Sequence, residues 1–217
     1  DMVRLDHFRG FESYWEVPAA ELTAVKGRWV LGPAARLFNT LQEELGEMPI
    51  IAENLGVITE EVEELRKQFG FPGMRVLQFA FDEDPANPHL PHNYRVNTVV
   101  YTGTHDNDTT RGWWATLESD AQYEVLRYLG RHHLPPLRIT PQLIRQAMRS
   151  VAALCIFPMQ DVLNLGSEAR MNRPGAASGN WSWRFQYREL TGHLSRWLYE
   201  MTRLYGRLPE QEKMVTE

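Results

Sequence analysis

Ile50-Ile51-Ala52-Glu53-Asn54-Leu55-Gly56 is a short β-branched run that ends in a carboxylate, with a glycine three residues later. Apolar on both faces, it is predicted to be a buried strand of a parallel sheet that delivers one acid at its tip. Two other stretches repeat the arrangement. Val3-Arg4-Leu5-Asp6-His7-Phe8-Arg9-Gly10 lies upstream, and Val99-Val100-Tyr101-Thr102-Gly103-Thr104-His105-Asp106-Asn107-Asp108 lies downstream. Three strand ends, each with an acid, point to a catalytic cluster.

Around these stretches, strand and helix patterns alternate. Strands are expected at 3–8, 49–53, 74–81, 97–103 and 153–158. Helices are expected after Gly32-Pro33, after Thr59, from a Ser119/Gln122 capping box, from Thr140-Pro141, and over about 186–205. The segment 11–32, with Trp15, Pro18, Gly27 and Trp29, looks irregular. Alternation implies parallel strands joined by helical crossovers. No glycine-rich dinucleotide fingerprint follows a strand, which disfavours a cofactor-binding doubly wound sheet. Acids at successive strand ends are the habit of an eight-stranded (β/α) barrel. Five strands cannot close one. The expectation is therefore an α/β chain supplying roughly the last five strands of a (β/α)8 barrel. Residues 1–217 would be the C-terminal part of a single catalytic domain whose N-terminal strands are absent.

Bulk properties exclude several classes. The chain has 217 residues, 43% apolar, with a formal net charge of -5. That composition is globular and lacks the basic surface of a nucleic-acid binder. No apolar run is long enough to span a membrane, and Asp1-Met2-Val3-Arg4 has no signal-peptide pattern. The single cysteine, Cys155, lies in an apolar run, fits a small core residue, and suits a reducing, cytoplasmic compartment (a plastid in a plant).

The chemistry follows from the acids. Two carboxylates flanking a sugar bond suffice for glycoside chemistry, one as nucleophile and one as acid/base. Asp6 is the candidate nucleophile. Arg4, two residues earlier, shares its strand face and would keep it ionised. The same spacing fits a plain inward-facing ion pair. Glu53 is the candidate acid/base, since an apolar strand would favour its protonated form. It also fits a solvated strand-end glutamate. Asp106 could stabilise a cationic transition state, with His105 donating to the same ring. Turn capping and metal ligation are the alternatives there, although no glycine or distal glutamate completes a calcium loop. Glu60, Glu61, Glu63 and Glu64 look like a solvated helix face. The rings in Asn180-Trp181-Ser182-Trp183 could stack on a ligand or fill a core.

Arg4-Leu5-Asp6-His7-Phe8-Arg9-Gly10-Phe11, Ile51-Ala52-Glu53-Asn54-Leu55-Gly56 and Thr102-Gly103-Thr104-His105-Asp106-Asn107 resemble the three catalytic signatures of the 4-α-glucanotransferases, the amylomaltases or disproportionating enzymes. Phe71–Phe81 and Gly179-Asn180-Trp181-Ser182-Trp183-Arg184 agree, in the same order along nearly the whole chain. The resemblance implies a barrel of the α-amylase kind with no metal and no cofactor. It implies retaining transfer of an α-1,4-glucan segment to the 4-hydroxyl of glucose or another glucan. Asp6 would be nucleophile, Glu53 acid/base and Asp106 stabiliser. Arg4, His105, Asn180 and Trp181 would bind substrate. The implied partners are donor and acceptor maltooligosaccharides and the missing N-terminal half of the same enzyme. Asn54 departs from the aspartate usual in the family, and Arg173 from a small residue. The alternatives are an α-glucan hydrolase with the same carboxylates and an inactive fragment.

Overall fold

In the structure, a computed structural model, residues 1–209 are described. The elements run β1 (Val3–Leu5), α1 (Arg9–Glu12), β2 (Ser13–Glu16), β3 (Arg28–Leu31), α2 (Ala34–Leu45), β4 (Ile50–Ala52) and α3 (Glu60–Gln68). There follow β5 (Gly73–Val76), β6 (Thr98–Tyr101), α4 (Thr110–Thr116), α5 (Ser119–Tyr128), α6 (Pro136–Arg149), β7 (Leu154–Ile156), α7 (Met159–Val162) and α8 (Gly192–Leu204). One sheet has the order β1-β4-β5-β6-β7, and β2 and β3 form a separate two-stranded sheet. β1 pairs with β4, and β4 with β5, in parallel. This is the expected α/β class, a five-stranded part of a (β/α)8 barrel. The chain divides into two compact units, Asp1–Arg75 with Asn97–Val99, and Val76–Val96 with Val100 onward.

In the first unit β4 is buried throughout, as its uninterrupted apolar run requires. Phe8, Phe38, Ile50, Ala52, Val62, Leu65 and Phe71 form the core. Phe38 is its hub, with ring centroids 5.6 Å from Phe8, 5.5 Å from Phe11 and 5.2 Å from both Phe69 and Phe71. α2 begins after Pro33 and stops at Gly46, whose φ of 75° is readily reached only without a Cβ.

In the second unit Leu77, Tyr94, Val100, Leu143, Ala147 and Ala152 pack together, with Cys155 against them. Cys155 is a free thiol pushed up to about 11 by burial, the state of an inert core residue. The apolar residues Leu143, Ile144 and Ala147 line the buried face of α6 as expected. Val151 lies beyond that helix and is exposed.

Several boundaries differ from expectation. Each strand is shorter, because the chain turns at once: at His7 (φ 48°) after β1, and into a 3-10 turn, Leu77–Phe79, after β5. The supposedly irregular 11–32 contains an antiparallel hairpin, Ser13–Glu16 on Arg28–Leu31, closed by the cross-strand pair Arg28–Glu16 at 2.7 Å. Its eleven-residue connection hid the pairing. No capping box starts α5. The Gln122 amide reaches back to the carbonyls of Trp114 (3.1 Å) and Leu117 (3.3 Å), so it serves the end of α4. α6 starts at Pro136, and Pro141 lies inside it. The N–H that Pro141 lacks would have bonded Leu137 O; the Asn164 side chain donates there at 2.9 Å instead. α8 begins only at Gly192, where the Thr191 hydroxyl caps it, and Met201 is its buried residue.

Phe38→Ala should cost about 3–5 kcal/mol, because the surrounding rings cannot collapse into its place. A denaturant midpoint equal to the parent's would show that this aromatic hub does not support the unit.

Candidate active site

The strand register positions the first two acids. Leu5 pairs with Ala52, so Asp6 and Glu53 are each the first residue past the last rung of adjacent parallel strands. Backbone bonds continue beyond the strands: Glu53 N–H donates to Leu5 O at 3.0 Å, and Phe8 N–H to Glu53 O at 3.1 Å. The Glu53 side chain is held by backbone as well. Its Oε2 accepts from His7 N–H at 2.7 Å and its Oε1 from Leu55 N–H at 2.9 Å. Glu53 is partly buried and has a donor on each oxygen. His7 makes its bond from the left-handed backbone region, a strain that persists only where neighbours enforce it. The fully buried Phe8 is that neighbour.

Asp6 is different. Its Oδ1 accepts from Arg4 Nη1 at 2.8 Å, and its side chain is 76% exposed. The predicted pair therefore exists, but its carboxylate faces solvent rather than a packed interior. Arg4 is fixed from behind by a contact of its Nε with Met74 Sδ at 3.3 Å.

Asn54 anchors this end of β4. It is buried, its Oδ1 accepts from Met74 N–H at 2.8 Å, and its Nδ2 donates to Glu63 Oε1 at 2.5 Å. Glu63 is in turn bridged to Arg66 at 2.7 Å, and Arg66 donates to Phe71 O. Glu63 thus leaves the solvated face assigned to it. An aspartate at 54 could not donate to Glu63 and would set two carboxylates together. A Cβ on Gly73 would come within 2.9 Å of the Asn54 amide, so the glycine lets β5 approach.

In the second unit, β6 leads through buried Thr102 into the loop carrying His105 and Asp106. Asp106 Oδ1 accepts from Asn172 Nδ2 at 2.6 Å, and its carbonyl from Arg170 Nη2 at 2.6 Å. His105 Nε2 lies 3.5 Å from Asp106 Oδ2. The His105 ring sits 5.1 Å from that of Trp181, which is half-exposed with φ 60°. Asn180 directs its amide into its own loop: Oδ1 accepts from Arg173 N–H at 2.9 Å, and Nδ2 donates to Ala176 O at 3.0 Å. Among the described residues no three His, Cys, Asp or Glu side chains gather as metal ligands, and no helix is long and apolar enough to cross a membrane.

A family profile described as 4-alpha-glucanotransferase matches residues 1–191. The chain belongs to the 4-alpha-glucanotransferase family. It is 56% identical over 209 residues to the 4-alpha-glucanotransferase of Synechocystis sp., covering 95% of this chain and 41% of that protein. It is 55% identical over 199 residues to that of Thermus thermophilus, covering 89% and 39%. Among solved structures, the amylomaltase from Streptococcus agalactiae in complex with acarbose superposes with a TM-score of 0.89 at 40% identity, over 96% of this chain and 42% of that one. The chain thus spans about two fifths of the length of these relatives.

In this 4-alpha-glucanotransferase chain, sequence reasoning overlooked His7, Arg170 and Asn172, and treated Asn54 only as a departure. All four act through backbone conformation or through bonds to distant residues. Only the alternation Glu168-Ala169-Arg170-Met171-Asn172 carried a signal, and it is too short to assign a partner to Arg170 or Asn172.

Burial pushes the Glu63 carboxyl up, but hydrogen bonds from Arg66 and Asn54 and the Arg66 charge outweigh it, so it titrates below the usual glutamate range. The folded chain therefore holds this proton less tightly than the unfolded chain. The stabilisation is complete above the ordinary value of 4.5 and is lost as pH falls through the lower folded value. Asn54→Ala should cost about 1–3 kcal/mol at neutral pH by unpairing Glu63 and Met74 N–H. It should also flatten the acid limb of stability against pH. Thermal melts from pH 3 to 7 check both, and superimposable curves would refute them.

Proposed function

We propose that these residues carry out retaining 4-α-glucan transfer. Asp6 attacks the anomeric carbon of an α-1,4-linked glucan while Glu53 gives its proton to the departing 4-oxygen. This leaves a glycosyl-Asp6 ester and a shortened glucan. The now ionised Glu53 takes the proton of an incoming 4-hydroxyl, that oxygen attacks the anomeric carbon, and Asp6 is released. Asp106 stabilises the positive charge that develops on the sugar in both steps. Arg4 keeps the nucleophile aimed, His105 supports Asp106, and Asn180 and Trp181 belong to the acceptor side. The donors and acceptors are maltooligosaccharides, a class in keeping with the acarbose held by the S. agalactiae amylomaltase. The free cysteine accords with a reducing cytoplasm or plastid.

The observation that carries this proposal is the register Leu5–Ala52, which sets an exposed, arginine-paired aspartate beside a backbone-anchored glutamate in a chain of this family. Neighbouring parallel strands lie about 4.8 Å apart, a spacing compatible with the ~5–5.5 Å between carboxyls that a retaining mechanism needs. Five strands leave an eight-stranded barrel open, so activity belongs to the protein in which the remaining strands are supplied.

Asp6→Asn and Glu53→Gln in the full-length protein should each lower maltotriose disproportionation at least about 10³-fold. Near-parental rates in either variant would overturn the assignment. Glucose together with longer oligosaccharides identifies transfer. Reducing ends that rise with each turnover would identify an α-glucan hydrolase instead.

A further inference from the structure

We propose that Asp161 is a positioning residue for Asp106, acting by clasping both ends of the loop that carries it. This rests on the role given to Asp106 above. The loop leaves β6 through Thr102 and enters α4 at Thr110, so residues 103–109 hang between these two anchors. Both anchors bond the same carboxylate. Asp161 Oδ2 accepts from the Thr102 hydroxyl at 2.5 Å and the Thr110 hydroxyl at 2.7 Å, while Oδ1 accepts from Thr110 N–H at 2.7 Å. Thr102 and Thr110 are fully buried and Asp161 is 2% exposed, so no water competes for these bonds.

The rest of the loop is tied within itself and to other segments. Asn107 Oδ1 accepts from the Thr104 N–H and hydroxyl, both at 2.9 Å. Asp108 Oδ2 accepts from the Ser167 hydroxyl at 2.7 Å, and Gln78 donates to Asp108 O at 2.9 Å. His105 and Asp106 lie between these ties, and Asp106 is also held from outside the loop by Asn172 Nδ2 and Arg170 Nη2.

Burial pushes the Asp161 carboxyl up despite the bonds from Thr102 and Thr110, and the Asp108 charge adds to that. The buried charge is a cost that these bonds offset only in part, but an apolar group in its place would leave Thr110 N–H and two buried hydroxyls unpaired. What the carboxylate supplies is three acceptor bonds in fixed directions, which orient the loop. A loosened base would swing Asp106 on a long lever, and a displacement of about 1 Å at a reacting group can cost on the order of 100-fold in rate.

The test compares Asp161→Ala, Asp161→Asn, Thr102→Val and Thr102→Ser in the full-length protein, with Asp106→Asn as control, by maltotriose disproportionation. Asp161→Ala should lower kcat about 10- to 100-fold with KM changed less than about threefold. Asp161→Asn, which keeps an acceptor for Thr110 N–H and a donor for the hydroxyls, should recover most of the loss. Thr102→Val should lower kcat in the same sense and Thr102→Ser should restore it; this pair decides if Asp161→Ala does not fold. Parental kcat in both Asp161→Ala and Thr102→Val, with only the melting temperature lowered, would make the clasp purely structural and overturn the proposal, as would losses confined to KM. If Asp106→Asn itself retains activity, the role of Asp106 falls instead.

Discussion

The pairing of Leu5 with Ala52 is the constraint on which the rest depends. A parallel ladder has no tight turn to set its register; packing sets it, with Ile50 and Ala52 of β4 and Phe8 just beyond β1 in one core. Once fixed, it makes Asp6 and Glu53 the first residues past the sheet on neighbouring strands. The ladder extends one bond further on each side, through Glu53 N–H and Phe8 N–H, so the acids leave the sheet from a base that is still hydrogen-bonded.

The three acids are held in three different ways. Glu53 is gripped by two backbone N–H groups, which cannot rotate away. Asp6 has one guanidinium and otherwise faces solvent. Asp106 is held by Asn172 and Arg170 from a much later part of the chain. Backbone grip has its own cost: His7 takes up a left-handed conformation that a non-glycine residue avoids unless its surroundings impose it. Phe8, in the aromatic core, imposes it.

Legibility varied with the range of the interaction. Apolar runs and helical stripes reflect burial, a property of each residue type, so the five sheet strands and the helices after Pro33 and Thr59 could be placed from the residues alone. The β2–β3 hairpin could not. Its strands carry Tyr14, Trp15, Trp29 and Val30, which are good strand formers, but the connection holds Pro18 and Gly27 and is too long for turn chemistry to announce a pairing. The Ser119/Gln122 pattern misled for a related reason. An amide in the first turn of a helix can serve either its own N-terminus or the C-terminus of a helix packed before it, and only the folded chain decides between Ser119 and Trp114 as partner.

Taken by itself, the sequence determined the alternating α/β plan, the strand ends at which the acids occur, and the family to which their motifs belong. These follow from patterns spanning a few residues. Tertiary structure decided the partners: Glu53 with His7 and Leu55 N–H, Asn54 between Met74 and Glu63, Asn172 with Asp106, and Asp161 beneath Thr102 and Thr110. The physical reason is that hydrogen bonds are short-ranged and directional. Whether two polar groups meet depends on ångström-scale placement of segments up to sixty-six residues apart, which hydrophobic periodicity does not encode.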